Sequence, residues 1–436
     1  MMADATTAVA RGADAQHLSA RALFAYGVLG MPLAMAALPL YVHLPKFYGE
    51  HLGVSLTALG LLLLALRLAD GVLDPLLGAW SDRTPSRKRL IALAMPILAA
   101  GMIALFAPPV RGETALLVGL AVALAVVYAA FSLATINHGA WGAELSSDPV
   151  ERTRITAVRE SLALGGVVIA SLAPALLGGA GGDTAGLPRF AMAFAVLAFG
   201  CAAVTLAWAP APRRAGSGRA PMFAGMRAPL ADLHFRRLLG VFMLNGIASA
   251  VPATLVLFFI GDVLQAEARQ GLFLALYFVA GAAGMPLWVR LSARIGKVAA
   301  WHAAMLLAVV AFIWAARLGE GDVVAFAVIC AASGLALGAD LALPPSLLAD
   351  VIGRGRHTHA TGAYFGLWTL ATKLNLALAA GIALPLLGLL AYVPGTRDPS
   401  ALSALAFVYA GVPSALKIGA AVALAWFNRH WSARRS

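Results

Sequence analysis

The chain has 436 residues, 61% hydrophobic and only 12% charged, with a mean hydropathy of +0.85, which excludes a soluble globular protein and marks a polytopic membrane protein. A formal charge of +12 would suit a nucleic-acid partner, but the Arg and Lys residues fall mostly in short gaps between apolar runs, where they set membrane orientation. The expected partner is therefore the lipid bilayer, with no nucleic acid.

The opening residues 1–21 are polar, with Asp4 and Asp14 where a signal peptide needs its apolar region, and read as a cytoplasmic tail. Twelve spanning segments are predicted near 22–44, 55–80, 90–109, 114–144, 155–178, 188–209, 237–262, 270–292, 298–317, 322–349, 360–393 and 402–427. Residues 210–236, rich in Pro, Gly and Arg, divide a six-helix half at 22–209 from a second at 237–427, and 428–436 form a cytoplasmic tail. Alternate loops are basic. Arg83, Arg87, Lys88 and Arg89 follow helix 2; Arg152 and Arg154 follow helix 4; Arg213, Arg214, Arg219 and Arg227 follow helix 6; Arg294 and Lys297 follow helix 8; Arg354 and Arg356 follow helix 10. This asymmetry predicts a multi-pass protein of the cell inner (plasma) membrane with both termini cytoplasmic. Cys201 and Cys330 each lie alone in an apolar segment, so neither a disulfide nor a metal site is expected.

The halves repeat. "DPLLGAWSDR" laid over "MPLWVRLSAR" matches Pro75 with Pro286, Leu76 with Leu287, Ser81 with Ser292 and Arg83 with Arg294, as two-fold related halves require. Gly281 and Met285 then stand opposite Asp70 and Asp74, so the shared scaffold has no need of these carboxylates. On a helix Arg67, Asp70 and Asp74 fall at i, i+3 and i+7, one stripe facing one cavity. Acids at this depth are expensive unless paired or wetted, and mark a functional site by default. The competing structural reading is that Arg67 neutralises one carboxylate to pin helix 2; one arginine cannot neutralise two acids. No phosphate-cradling glycine loop and no "HExxH" pair is present, so ATP drive and zinc proteolysis lack support and no enzyme is expected.

The helix 2 pattern of an acid, three residues, "DP", a Gly and then "SDRT" with a basic cluster resembles the glycoside-pentoside-hexuronide:cation symporter family, the melibiose-permease-like branch of the major facilitator superfamily. "AELSSDPVERTRITAVRES", with Asp148, Glu151, Arg152 and Arg159, is similar to that family's segment after helix 4. "LLADVIGRGRHTHATGAYFGLWTLATKLNLALA", with Ala349, Asp350 and a lone Lys373, resembles its passage from helix 10 to helix 11. The resemblance implies an all-α major facilitator fold, twelve transmembrane helices in two six-helix bundles related by pseudo-two-fold symmetry. It also implies that Asp70 and Asp74 bind the coupling cation, H+ or Na+, that Arg159 helps hold substrate, and that Lys373 links the two halves of the site. No cofactor is implied, and no metal beyond Na+ at Asp70 and Asp74.

Helix 1, "AYGVLGMPLAMAALPLY", lacks the charged pair of galactoside carriers, and the helix 4 position that carries a further acid in some members is here Thr135. A hydroxyl can still ligate sodium, whereas a proton needs only a buried carboxylate, so loss of the acid favours protons. Asn137, His138 and Trp141 on helix 4 and Asn245 on helix 7 are candidate solute contacts, His138 equally a packed residue. Asp340, about ten residues and about 15 Å before Asp350, is placed on the solute pathway, with Lys373 as its possible partner. Asp82 and Arg83 lie past the end of helix 2 and read as a cytoplasmic gate. The expectation is a monomeric secondary transporter, cation-coupled symport of a small polar solute such as a sugar or glycoside by alternating access. The alternatives are a carrier of an amphipathic solute such as a lysolipid and a membrane sensor or assembly factor that transports nothing.

Overall fold

The computed structural model describes residues 17–84, 86–179, 182–212, 222–355, 360–393 and 395–432. Asp4, Asp14, Arg213, Arg214, Arg219 and Arg356, named above, lie outside the described residues, as do 1–16 and 433–436 of the expected tails. In the bilayer every backbone N–H and C=O must be satisfied within the chain, and long apolar runs do this as helices. The first, α1, begins with Ala20–Gly27 and Gly30–Leu38, capped by the Ser19 hydroxyl on Ala22 N at 3.2 Å. It then widens into π-helical turns at Pro39–His43 and Phe47–His51, on either side of Leu44–Lys46. Pro39 and Pro45 bring no N–H to the regular ladder, which accounts for the loosening and carries α1 beyond the expected end at 44.

The remaining helices are α2 (Leu56–Arg83), α3 (Arg87–Phe106), α4 (Glu113–Leu145), α5 (Pro149–Gly178), α6 (Gly182–Trp208), α7 (Leu233–Phe258), α8 (Gln270–Ile295), α9 (Lys297–Phe312), α10 (Val323–Arg354) and α11 (Thr361–Leu389). The last, α12, joins Pro399–Ala406 to Val412–Ser432 through a π-helical turn, Phe407–Gly411. A linker helix, Met222–Ala231, precedes α7. Eleven segments among the described residues are long and apolar enough to cross a membrane. The 28-residue α2, which carries the two carboxylates, spans about 42 Å and supplies the twelfth. α5 starts earlier than the apolar run at 155, because its first turns, with Glu151, Arg152 and Arg154, are polar.

Within the first half α1 packs on α5 and α6, α3 on α4 and α6, and α2 on α4; within the second α7 packs on α11 and α12, α9 on α10 and α12, and α8 on α10. Between halves the main partners are α2 with α11 and α5 with α8, so the second helix of each bundle meets the fifth of the other, as a two-fold requires. The matched Pro75 and Pro286 both lie inside helices, and Ser81 and Ser292 are both buried. Residues from Ala79, Ile136 and Ala140 join the α7–α12 core at the end where the basic loops lie, called here the basic end. Toward the other end the apolar cores are separate, one built from α1–α6 and one from α7–α12.

Glycine sets the α2–α11 crossing. A Cβ on Gly78 would lie 2.2 Å from the Gly362 carbonyl oxygen, and one on Gly366 would lie 2.6 Å from that of Asp74. Small residues let backbones approach this closely without the lipid having to drive them together. Gly78→Ala should therefore lower stability by about 1–3 kcal/mol through overpacking. Gly165→Ala, where nothing lies within 4 Å of the added carbon, should change it little; thermal denaturation of both variants in detergent provides the comparison.

Candidate functional site

The glycine crossing brings α11 against the acidic stripe of α2. Lys373 Nζ lies 2.5 Å from Asp70 Oδ2 and donates to Asp74 Oδ1 at 3.0 Å and to Ser132 Oγ of α4 at 2.9 Å. Ser132 Oγ in turn donates to Asp70 Oδ1 at 3.1 Å. All three ammonium donors of this second-bundle lysine are thus engaged, by groups of the first bundle. Asp74 Oδ2 is 2.9 Å from Nζ but no donor is aimed at it, and it accepts no hydrogen bond. The side chains of Asp70 and Asp74 are 5% and 0% exposed and that of Lys373 18%, so one cation serves two carboxylates in a site nearly closed to solvent. Coulomb attraction at such distances is strong where water is excluded, and breaking a buried pair costs about 3–5 kcal/mol.

The helical stripe was expected to give Arg67 as the neighbour of these acids; its side chain is exposed on α2, and Lys373 occupies the position between the two carboxylates instead. Spacing along one helix cannot reveal a partner arriving from another. Thr135 has a buried Oγ1 with no hydrogen-bond partner, while the hydroxyl bonded into the cluster belongs to Ser132, one turn away. Asn137 is buried away from this site: its Oδ1 accepts from Ser81 Oγ at 2.5 Å and Arg87 Nη1 at 3.4 Å, and its Nδ2 donates to Leu133 O at 2.8 Å. Trp141 is fully buried, donating to Pro210 O at 2.9 Å with Lys88 Nζ 5.2 Å above its ring. His138 is likewise packed, its Nε2 at 2.8 Å from Tyr26 O while Tyr26 donates to His138 O. In this structure Asn137 and Trp141 take part in helix packing, at an end of α4 that is buried on nearly all sides.

Asp340 is not partnered by Lys373. Lys417 of α12 lies 2.7 Å from its Oδ2 and 3.0 Å from Ser249 Oγ of α7, and Trp301 of α9 donates to its Oδ1 at 2.8 Å. This carboxylate is satisfied inside the second bundle. Asn245 of α7 and Asn375 of α11 are buried with side-chain oxygens that accept nothing. Arg159 donates from Nε and Nη2 to Glu160 Oε1 at 3.0 and 2.5 Å. It lines a small cavity between the bundles with Tyr26, Arg152, Thr156 and Phe365.

At the basic end Asp82 reaches across to α11, its carboxylate accepting from Gly362 N at 2.7 Å and Ala363 N at 2.9 Å. It meets Arg87 at 2.9 Å, and Arg87 also binds Glu144 at 2.8 Å. The second bundle repeats this arrangement with Lys297 at the start of α9, 2.5 Å from Asp350 near the end of α10, and Arg152 of α5 crosses to Asp350 at 3.1 Å. Arg83 is exposed. Ser132, Glu144 and Lys417 were not singled out above, and Arg87 and Lys297 only as residues of the basic loops. Lys417, in "SALKIGAAV", carries the same signal as Lys373, one ammonium inside an apolar segment.

Two packed helical bundles related by a two-fold are the architecture of many secondary transporters. The family described as MFS/sugar transport protein matches residues 23–428, and the chain belongs to this family of the major facilitator superfamily, a secondary transporter rather than an enzyme. No curated protein matches it significantly. Among solved structures it is similar to a bacterial homologue of the iron transporter ferroportin in its outward-facing state, at 18% identity and TM-score 0.67 over 94% of this chain and 100% of that one. It is also similar to the E. coli fucose:proton symporter, at 15% identity and TM-score 0.64 over 92% and 97%, and to the human organic anion transporter MFSD10, at 20% and 0.65 over 93% and 99%. At these identities the structures carry the fold alone.

The Asp340–Lys417 geometry makes a prediction. Lys417→Met strands a buried carboxylate and should cost about 3–5 kcal/mol, most of it recovered when Asp340→Asn is added. Thermal denaturation of the single and double variants measures both.

Proposed function

We propose that this transporter is a cation-coupled symporter of the melibiose-permease type, moving a small polar solute, a sugar or glycoside, with H+ or Na+. The observation that supports this most is the single ammonium of Lys373 shared by two buried carboxylates across the bundle interface. Two acids and one lysine leave one negative charge in a low-dielectric place, which a coupling cation neutralises. Asp74 Oδ2 and Thr135 Oγ1, buried oxygens with no donor, are the kind of atoms that take a proton or ligate sodium. With the cation absent, the empty site disfavours closure around it; with the cation present, solute contact completes the occluded state. Coupling follows because the bundles exchange easily only when the charge is balanced.

Arg159 is the solute contact this reading assigns in the first bundle, with Asn245, its carbonyl oxygen unmatched, in the second. Both termini are cytoplasmic in this reading, which turns the basic end inward, in the inner membrane of a monomer. The contacts of Asp82 with the start of α11 and of Arg152 with Asp350 then form the closed inner gate. They must break for the solute to leave inward.

Asp70→Asn and Asp74→Asn keep shape and some hydrogen bonding but remove the charge that the cation balances. Each variant should fold, exchange solute downhill and lose at least tenfold of its gradient-driven accumulation. Proteoliposomes under a sodium or pH gradient, assayed with a panel of labelled sugars and glycosides, measure this. Normal yield with accumulation intact in both variants contradicts the cation site.

A further inference from the structure

Arg152, Thr156 and Glu160 recur every four residues along α5 and therefore share one face. The first two line the inter-bundle cavity together with Arg159. Glu160 is one turn further along that face, eleven residues or about 17 Å into the helix. Its Oε1 takes both the Nε and the Nη2 donors of Arg159, at 3.0 and 2.5 Å, and the two side chains are 15% and 20% exposed.

This ion pair is unlike the others at similar depth. Lys373 with Asp70 and Asp74 joins α11 to α2, and Lys417 with Asp340 joins α12 to α10, so each ties helices together. Arg159 and Glu160 are adjacent in the chain, project about 100° apart on their helix, and by pairing tie no second helix to α5. Arg159 packs against Gly30 of α1 and Gly139 of α4 and lines the cavity, so the bond to Glu160 is not what holds it in place, and Glu160 stands beside a cavity-lining guanidinium. The edge of the guanidinium that Glu160 occupies is one of the two edges a carboxylate ligand could use for a two-point contact, and the other shares its Nη2 with Glu160.

We propose that Glu160 determines solute charge: by occupying the Nε and Nη2 edge of Arg159 it lets the pair offer a donor and an acceptor with no net charge, which admits neutral hydroxylated solutes and rejects carboxylate-bearing ones. The inference rests on Arg159 as the solute contact of the proposed function. Rejection has two parts, the occupied donors and the repulsion between Glu160 and an incoming carboxylate, and selectivity built on such repulsion is a general device.

The test is a binding titration of the full-length protein in detergent with two matched pairs, galactose against galacturonate and glucose against glucuronate. Wild type, Glu160→Gln and the double variant Arg159→Gln/Glu160→Gln are compared. Glu160→Gln should bind at least one uronate tenfold or more tightly than wild type does, and the double variant should lose that gain. Uronate binding in Glu160→Gln within twofold of wild type, including none in either, overturns the inference. So does a loss of folded yield in Glu160→Gln that the double variant restores, because the pair is then structural. A uronate gain without neutral-sugar binding by wild type keeps the role of Glu160 while removing the neutral-sugar reading; neutral-sugar binding without the gain does the reverse.

Discussion

The ammonium of Lys373 between Asp70 and Asp74 is the interaction on which the remaining architecture converges. It is made by α2 and α11, one helix from each bundle, at the place where Gly78, Gly362 and Gly366 let their backbones nearly touch. Without that approach the lysine would not reach both acids, and without the lysine two buried carboxylates would face each other. Packing and electrostatics thus depend on each other here. Two carboxylates share that one ammonium, and Asp74 Oδ2, 2.9 Å from Nζ, accepts no hydrogen bond.

The two ends of the molecule differ in how the bundles are joined. At the basic end apolar residues of both bundles merge into one core, and Asp82 and Arg152 cross the interface to backbone amides and to Asp350. Toward the other end each bundle keeps its own core. The carboxylate cluster lies between these regions, on the interface where α2 meets α11. The Asp340–Lys417 pair is of another kind, satisfied within one bundle and joining α10, α12, α7 and α9.

Much of this was legible in the sequence. Spanning length gives the helices, because a continuous apolar run of that length satisfies its backbone in hydrocarbon as a helix, and the "DPLLGAWSDR" repeat gives their two-fold order. Asp70 and Asp74 stand out because acids are rare in apolar runs. Their partner was not legible: Arg67 shares their stripe, but Lys373 lies some three hundred positions later and meets them only through tertiary packing. The packing of Asn137 and Trp141 was not legible either, since polar and aromatic residues occur on several faces at the end of α4 and its pattern does not say which face meets the cavity. Lys417 and Lys373 look alike in sequence, so only the geometry assigns Asp340 to the former.

The central claim, that the charge of the Asp70–Asp74–Lys373 cluster governs movement of one bundle against the other, is tested most directly by a distance measurement. Spin labels at Leu61→Cys on α2 and Ile382→Cys on α11, positions 65% and 43% exposed, report separation away from the basic end, with the buried Cys201 and Cys330 replaced. The distance distribution is recorded with and without sodium, and across pH. The account predicts a distribution that shifts with one of these cations in otherwise wild-type protein and does not shift when Asp70→Asn and Asp74→Asn are combined. An identical shift in that double variant, or none with either cation in the parent, would contradict it.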